Sequence, residues 1–519
     1  MLFLLIVVLI TVLFVYLKLK YFTLRGSIPG KSPNFLVGNL LQTGFFNGRY
    51  LGDIVKEFQT KYGDTFQFWA GPNRMIFVCN PDDVQHIFKH RQIYEQGKLE
   101  VDHHRLLFKD ALICNTGTPF SRDDLLNLVV HTSLGSKYKR HASIILPLFR
   151  RAKIVNNIDI IIDCTDKLLD QWRTKFDHNP NHIYTDIVDQ CQNLSLVIFG
   201  FIGFDYDLQT LEESHMSKNN RLRQALKDFL YVFIFTIPLP TSIAKLYLKV
   251  SSRYRRAIVA INSYLNEMVE QEQRKTEEQI MERKRTSLIA SLVDSLQVDE
   301  AAESLKLEHE KKGLSHTEVF HEMLLFLVSG SETTGSALAW FIFFMSKNLR
   351  VQAKLKAELG NDIQNRLTAD QIESFAYLDC VIQEVLRFIP PIVGTTRTLT
   401  MNDRLPISDV QLCEGDEIFI PLNIGSRDER FWKIDPNLFY PERFLNEDKD
   451  HHPYAMIPFG GGHRQCIGQD LARFELKVII TRLMQRVTFG DGGSQLNSGG
   501  YVLKLAIVPK HTGITIIFD

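Results

Sequence analysis

Paired cysteines are missing from this chain. Its seven cysteines (Cys79, Cys114, Cys164, Cys191, Cys380, Cys413 and Cys466) are scattered and never fall in a C-x-x-C spacing. That excludes a zinc or iron–sulfur site built from clustered thiolates. An odd, dispersed set also argues against a disulfide framework and for a reducing compartment. Net charge is missing too: 60 Lys and Arg balance 60 Asp and Glu, so nothing draws the chain as a whole to nucleic acid. No internal repeat and no second-domain boundary interrupts the 519 residues, 45% of them hydrophobic, enough for a large core.

Charge is absent locally as well. From Met1 to Leu17, MLFLLIVVLITVLFVYL holds no charged side chain, and Lys18, Lys20 and Arg25 follow. As a helix rising ~1.5 Å per residue it spans about 25 Å, close to the ~27 Å of a thin endoplasmic reticulum bilayer. A cleaved signal peptide would want positive charge ahead of the apolar run and small residues behind it, and neither occurs. The run is expected to be an uncleaved anchor whose basic flank stays cytosolic, with the remainder of the chain on that side. GSIPGKSPNFLVGNL (Gly26–Leu40) is rich in Pro and Gly and reads as a stiff connector.

Beyond the connector most of the pattern is helical. YGDTFQFWAG and NRMIFVCN are β-rich runs split by Gly71-Pro72, the pattern of a hairpin. EMVEQEQRKTEEQIMERKRT (Glu267–Thr286) reads as a solvated helix face or loop. DFLYVFIFTIPLP (Asp228–Pro240) is unusually apolar for a connector, and a second membrane contact and buried core are both open readings. A capping box, Ser315 and Glu318, opens an apolar-rich helix of roughly 30 residues. In its middle SGSETT (Ser329 to Thr334) sets five hydroxyl or acidic side chains around Gly330. Mid-helix hydroxyls can bond the carbonyl of the preceding turn and bend the helix. Apolar neighbours on both sides argue against a surface patch.

PFGGGHRQCIG (Pro458–Gly468) has neither a strand nor a helical period, and a helical pattern opens just after it in QDLARFELKVII. It reads as a tight turn presenting Cys466 ahead of a helix N-terminus, a setting that lowers a thiol pKa. Three readings stay open here: a buried structural cysteine, a nucleophile with His463 as base, and a metal ligand. A single thiolate suffices for haem iron, whose other ligands come mainly from the porphyrin. Each neighbour then has work to do. The three glycines allow the turn and a close approach to a flat ring. Arg464 suits a propionate, Gly468 leaves room beside the ring, and Phe459 can shield the sulfur.

Phe459, Gly462, Arg464, Cys466 and Gly468 match all five fixed positions of F-x-x-G-x-R-x-C-x-G, which resembles the haem-binding loop of the cytochrome P450 superfamily. The resemblance implies a mostly α fold: a large helical domain with small β-sheets enclosing haem b, its iron ligated axially by Cys466, plus one N-terminal transmembrane helix. SGSETT is similar to the family's oxygen-binding segment, A/G-G-x-D/E-T. On that likeness Gly330 gives dioxygen room, Glu332 and Thr333 form the acid–alcohol pair that guides protons, and Ser329 departs from the usual small apolar residue. Glu384 and Arg387 of EVLR, with Arg443 of PERF, look like the family's structural triad. Arg397 matches a position that often holds a propionate, and Ile392, Val393 and Thr395 lie where the family lines its substrate pocket.

One helix departs from the pattern. GSKYKRHASIILPLF aligns with the family's W-x-x-x-R helix, but Tyr138 stands for the tryptophan and Ala142 for the arginine. Arg140 and His141 are the candidates to take over that propionate contact, with Tyr138 donating a hydrogen bond. Lys137, Lys139 and Arg140 form a basic patch, either an ordinary solvated helix face or, as the resemblance implies, part of a surface near the reductase-docking face.

The resemblance thus implies a haem-dependent monooxygenase that inserts one oxygen atom from O2 into a lipophilic substrate. Its partners would be an NADPH-dependent reductase, cytochrome b5 as a further electron donor, and the endoplasmic reticulum membrane, with no nucleic acid. Residues 1–17 are expected as the transmembrane anchor, 18–45 as a basic, Pro/Gly-rich linker and 46–519 as the haem-thiolate catalytic domain. Two rivals share the scaffold, a haem-thiolate isomerase or dehydratase and a non-catalytic haem sensor. Neither has a use for Glu332 and Thr333.

Overall fold

Where the sequence has no charge, the chain forms α1 (Leu2–Tyr21), which ends on Lys18 and Lys20. None of its apolar window Phe3–Tyr21 is buried against the rest of the chain. The computed structural model describes residues 2–519 apart from 45–47, 116–130, 209, 212–219, 238, 277, 280–282, 284–286, 361–366 and 424.

After the connector, α2 (Leu51–Tyr62) packs on a hairpin of β1 (Thr65–Ala70) and β2 (Asn73–Val78), in register from Thr65↔Val78 to Ala70↔Asn73. Alternation in β1 sends Phe66 and Phe68 to the same side, where both meet Phe58 of α2 and Phe77 of β2. Next come α3 (Pro81–Lys89), β3 (Tyr94–Gln96), α4 (Lys98–Phe108) and α5 (His131–Ile145). The middle of the chain is helical: α6 (Ile158–His178), α7 (Ile187–Phe204), α8 (Asn220–Thr236), α9 (Thr241–Val250), α10 (Ser252–Gln273) and α11 (His316–Lys347). It is followed by α12 (Ala376–Phe388), β4 (Gly394–Leu399), β5 (Glu417–Pro421) and α13 (Gln469–Met484). The largest sheet has the order β1-β2-β5-β4-β3, with β2 and β5 parallel and the other neighbours antiparallel. This places Arg397 of β4 opposite Gln96 on one side and Ile418 on the other.

α11 runs 32 residues from its capping box, in which the Ser315 hydroxyl accepts the Glu318 N–H and the Glu318 carboxylate accepts the Ser315 N–H. A helix this apolar on all sides belongs inside. It lies against α7, also apolar and mostly buried. A Cβ on Gly335 would fall 2.6 Å from the Gln192 Cα, so the two backbones meet at a distance only glycine allows.

The apolar stretch Asp228–Pro240 divides between its two readings. Phe229, Val232 and Phe233 are core, while Tyr231, Phe235 and Ile237 are about half exposed, as are Ile243, Leu246 and Val250 of α9. The dense charge run closes α10 with Glu267–Gln273, and part of the remainder lies outside the described residues.

Candidate active site

The loop ahead of α13 closes on itself, with the Cys466 N–H donating to the Phe459 carbonyl at 3.0 Å and the Gly460 N–H to that of Ile457 at 2.9 Å. Gly462 has φ +70°, and a Cβ there would fall 2.7 Å from the Phe88 carbonyl oxygen of α3. Only glycine combines that backbone with that approach. Cys466 is open to solvent, yet burial pushes its pKa up against the pull of the Gly468 backbone N–H. A sulfur both solvent-reached and crowded lines a recess. This corrects the expectation of a lowered thiol pKa: desolvation outweighs the partial charge of one helix N-terminus. A Cβ on Gly468 would meet only that sulfur, at 3.9 Å, so space beside it is open. Phe459 is half-buried, with the Arg473 guanidinium 5.2 Å from its ring.

Two arginines converge beside this loop. Arg397 donates only from Nη1, to the Thr395 hydroxyl at 3.0 Å and the Thr396 carbonyl at 2.6 Å, and stands 5.0 Å from the Phe88 ring. Burial brings its pKa down to about 10, and the Arg464 charge pushes the same way against Glu100 and Glu95. Arg464 donates to the Asn115 carbonyl at 2.8 Å and lies 3.6 Å from Glu95, while its buried Nε meets no partner among the described residues. Neighbouring interior guanidiniums short of acceptors make a receptor for carboxylates. With the recessed thiol and the open space at Gly468, this donor set fits a haem: sulfur for iron, guanidiniums for propionates.

On α5 the expected stand-ins for the missing arginine do other work. Arg140 is engaged by Glu308 (2.5 Å), Glu318 (2.8 and 2.9 Å) and the Gly313 carbonyl (2.6 Å), so its guanidinium has no reach left for a haem carboxylate. His141 is fully buried against Glu322 and Glu318. Tyr138 takes part through its ring, which lies 4.0 Å from the Arg464 guanidinium carbon. Lys137 pairs with Asp110 at 2.6 Å, which leaves Lys139 as the exposed member of the expected basic patch.

On α11, Ser329 is exposed within an otherwise buried run and Thr333 is half-buried, its hydroxyl donating to the Ser329 carbonyl at 2.8 Å. One turn apart, they share a face that opens on space. Ser331 points inward and donates to the Leu327 carbonyl at 2.6 Å. Glu332, about 100° further round the helix than Ser331, turns to α7, where its Oε2 accepts from Gln192 Nε2 at 2.8 Å. Burial raises its pKa to about 7, with Lys504 and Lys227 opposing and Asp189 adding to the rise. At Gly330 the missing Cβ would fall 2.5 Å from the Phe199 ring, so the glycine lets α7 approach closely.

Away from this face, Glu384 receives Arg387 Nε (2.7 Å) and Nη2 (2.9 Å) and Arg443 Nε (3.2 Å), with all three side chains fully buried. Ile392, Val393 and Thr395 are half-buried, and the Thr395 hydroxyl is already taken by Arg397. Sequence reasoning missed Phe88, Asn115, Glu95 and Gln192. Only Gln192 leaves a trace in the sequence, as one of the polar residues of DQCQN in a strongly apolar helix.

These features sit inside one matched span. Residues 28–498 match the family described as Cytochrome P450. The chain belongs to that family, whose members bind haem through a cysteine thiolate, and it is an oxidoreductase of the monooxygenase type. It is 25% identical over 468 residues to cytochrome P450 3A14 of Cavia porcellus, covering 89% of this chain and 85% of that protein. To cytochrome P450 734A1 of Arabidopsis thaliana it is 26% identical over 432 residues, covering 82% of this chain and 75% of the relative. The cytochrome P450 monooxygenase claP of Ampulloclitocybe clavipes is 26% identical over 473 residues, 84% of this chain and 81% of its own. Mammal, plant and fungus are matched almost equally, so the likeness fixes a class of chemistry and selects no substrate.

Proposed function

We propose that this protein oxidises a lipophilic substrate at the endoplasmic reticulum membrane, with residues 1–17 as a single-pass anchor, 18–45 as linker and 46–519 as a cytosolic catalytic domain. Electrons would come from an NADPH-dependent reductase, with cytochrome b5 as a second donor. Support for the membrane comes from the fully exposed apolar α1 and from the half-exposed Tyr231, Phe235, Ile243 and Leu246, which could rest on the same bilayer. Lys139, Arg150 and Leu146 are exposed together near Tyr138 and suit an acidic partner with an apolar centre.

Haem held by Cys466 supplies electron transfer to dioxygen and, through the thiolate, the push that favours O–O cleavage. The chain's own part is to place charge and protons around it. Gly468 N–H steadies the sulfur, Arg464 and Arg397 take the propionates, and Tyr138 covers the Arg464 guanidinium. The Thr333 hydroxyl rests on its own helix carbonyl, and a χ1 rotation would free it as donor or acceptor. Glu332, poised near neutrality by burial, stores a proton behind it. The surrounding apolar turns of α11 keep bulk water out.

The observation that carries this reading is a carboxyl bonded to Gln192 and shifted upward by burial, followed at the next position of the helix by a half-buried hydroxyl. With purified protein and reductase, Thr333→Ala is expected to keep consuming NADPH, to form less product and to release more hydrogen peroxide. Equal coupling in variant and wild type would overturn the role of Thr333. Turnover without any reductase would point to a peroxide-rearranging enzyme instead.

A further inference from the structure

α5 has no arginine at position 142, yet a cluster of charged side chains gathers one residue away. His141 is fully buried between two carboxylates of α11, with Nδ1 2.6 Å from Glu322 Oε1 and Nε2 3.4 Å from Glu318 Oε1. Glu322 is fully buried too, and the same Oε1 accepts the Leu112 N–H at 2.7 Å. Leu112 begins a short turn through Cys114, whose carbonyl is held by Arg105 at 2.9 Å. The turn leads to Asn115, and the Asn115 carbonyl receives Arg464. The contacts therefore run unbroken from His141 through Glu322 and the 112–115 turn to Arg464. They close again through Tyr138, which sits on the same helix as His141 and stacks on that guanidinium.

We propose that His141 and Glu322 are positioning residues for Arg464. Their buried contact fixes α5 and the 112–115 turn at the separation that aims Arg464 at a haem carboxylate, an effect that an arginine at position 142 would have directly. The inference rests on Arg464 holding that carboxylate.

The geometry makes the clamp depend on pH. Both ring nitrogens of His141 face carboxyl oxygens, which only accept while Glu318 and Glu322 are ionised, so in that state both contacts attract only when both nitrogens carry protons. The facing groups are Glu318 and Glu322 of α11. Arg140 and Lys137 of α5 bind Glu318 from the other side, and His321 lies 3.7 Å from Asp110, which also holds Lys137. Burial works against the charge on His141, but Glu318 and Glu322 outweigh it and raise its pKa above 6.5. Burial likewise raises Glu322, against His141. A group whose folded pKa is raised gives its full contribution below its ordinary value and loses it as pH climbs through the raised one.

The test is haem transfer from the full-length holoprotein to a scavenger such as apomyoglobin, with thermal unfolding followed in parallel. Wild type should lose haem faster as pH is taken from 6.5 upward. His141→Gln, which keeps one donor and no charge, should lose haem roughly tenfold faster at pH 7, the worth of one charge-assisted hydrogen bond, and without that pH rise. Glu322→Gln, which keeps an acceptor for Leu112, should behave like it. Arg464→Lys should speed haem loss alone, and His141→Gln added to it should change little further. If Arg464→Lys has no effect, the role of Arg464 falls. If Arg464→Lys acts but the clamp variants do not, or the two effects add in full, or wild type shows no pH rise, the clamp is overturned.

Discussion

Replacing Glu332 with Gln removes one titrating proton and almost no volume. A glutamine oxygen can still accept from Gln192, so the contact made at 2.8 Å can survive. In wild type, burial lifts the carboxyl from 4.5 to about 7, which disfavours the ionised form in the folded protein by on the order of 3 kcal/mol. Between those two values the folded state holds a proton that the unfolded chain releases. Wild-type stability should therefore fall as pH rises through that window and level off above about 7. Glu332→Gln has no such proton, so relative to wild type it should gain on the order of 3 kcal/mol between pH 5 and pH 8. A protein of this size with a bound cofactor unfolds irreversibly, so the readout is the apparent thermal midpoint of the haem-bound form at one fixed scan rate.

The same substitution bears on turnover. Removing a positioned general acid typically costs about 10²- to 10⁴-fold in the proton-transfer step. Here that loss should appear as electrons diverted to hydrogen peroxide rather than as slower NADPH use. Wild-type coupling should decline as pH passes about 7, where Glu332 gives up its proton, and the variant should show a low and flat profile. Parallel shifts of the two midpoints between pH 5 and pH 8 would refute the buried carboxyl. An identical pH profile for coupling would refute its role as proton store.

Cys466→Ser should abolish the red-shifted thiolate band of the reduced carbon monoxide complex, and a variant that kept the band would remove Cys466 as iron ligand. Deleting Met1–Lys20 should turn integral into peripheral membrane association, because the exposed apolar residues of α8 and α9 still touch lipid. Resistance to carbonate extraction after the deletion would show that α1 is not the principal anchor. Glu384→Gln leaves two buried guanidiniums without their shared charge, a change worth about 3–5 kcal/mol, so haem-bound protein should be scarce. A normal yield and thermal midpoint would contradict that.

What was legible in the sequence is what the chain writes within a few residues. The glycine turn before Cys466, the Ser315 capping box and the hairpin at Gly71-Pro72 follow from backbone sterics and local hydrogen bonds, which need no knowledge of distant contacts. Partners joined across the fold were legible only where a motif supplied them, as for Glu384 and Arg443. Nothing near Gly462 announces Phe88, and nothing near Glu332 announces Gln192, because each pairing is fixed by how helices stack. The basic run at Lys137–Arg140 misled for the same reason. Three cations in four residues look like a solvated face, yet Glu308, Glu318 and Asp110 arrive from elsewhere and take two of them inside. Gly330 likewise gave no sign in the sequence of the Phe199 ring that packs against it.

Counting acceptors separates the interior arginines that hold the fold from those that await a ligand. Arg387 places all five N–H groups, two on Glu384 and three on the carbonyls of Ser426, Pro436 and Leu438. Arg443 does the same with Glu384, Asp448 and the carbonyls of Ile434, Asp435 and Leu438. A ligand could bind either only by displacing bonds already made, so both are locks. Among the described residues, Arg397 bonds through Nη1 alone, and Arg464 has one carbonyl and a carboxylate at 3.6 Å. Interior guanidiniums left so short of acceptors cost stability, and an arriving pair of carboxylates removes that cost. If those two residues hold the propionates as proposed, haem binding and folding would be coupled through them, since a group that binds only the folded state stabilises it by mass action. The clamp at His141 and the ring of Tyr138 act on one of them, Arg464. On the proposed clamp, the pH dependence of haem retention would be set by a histidine whose own contacts are Glu318 and Glu322.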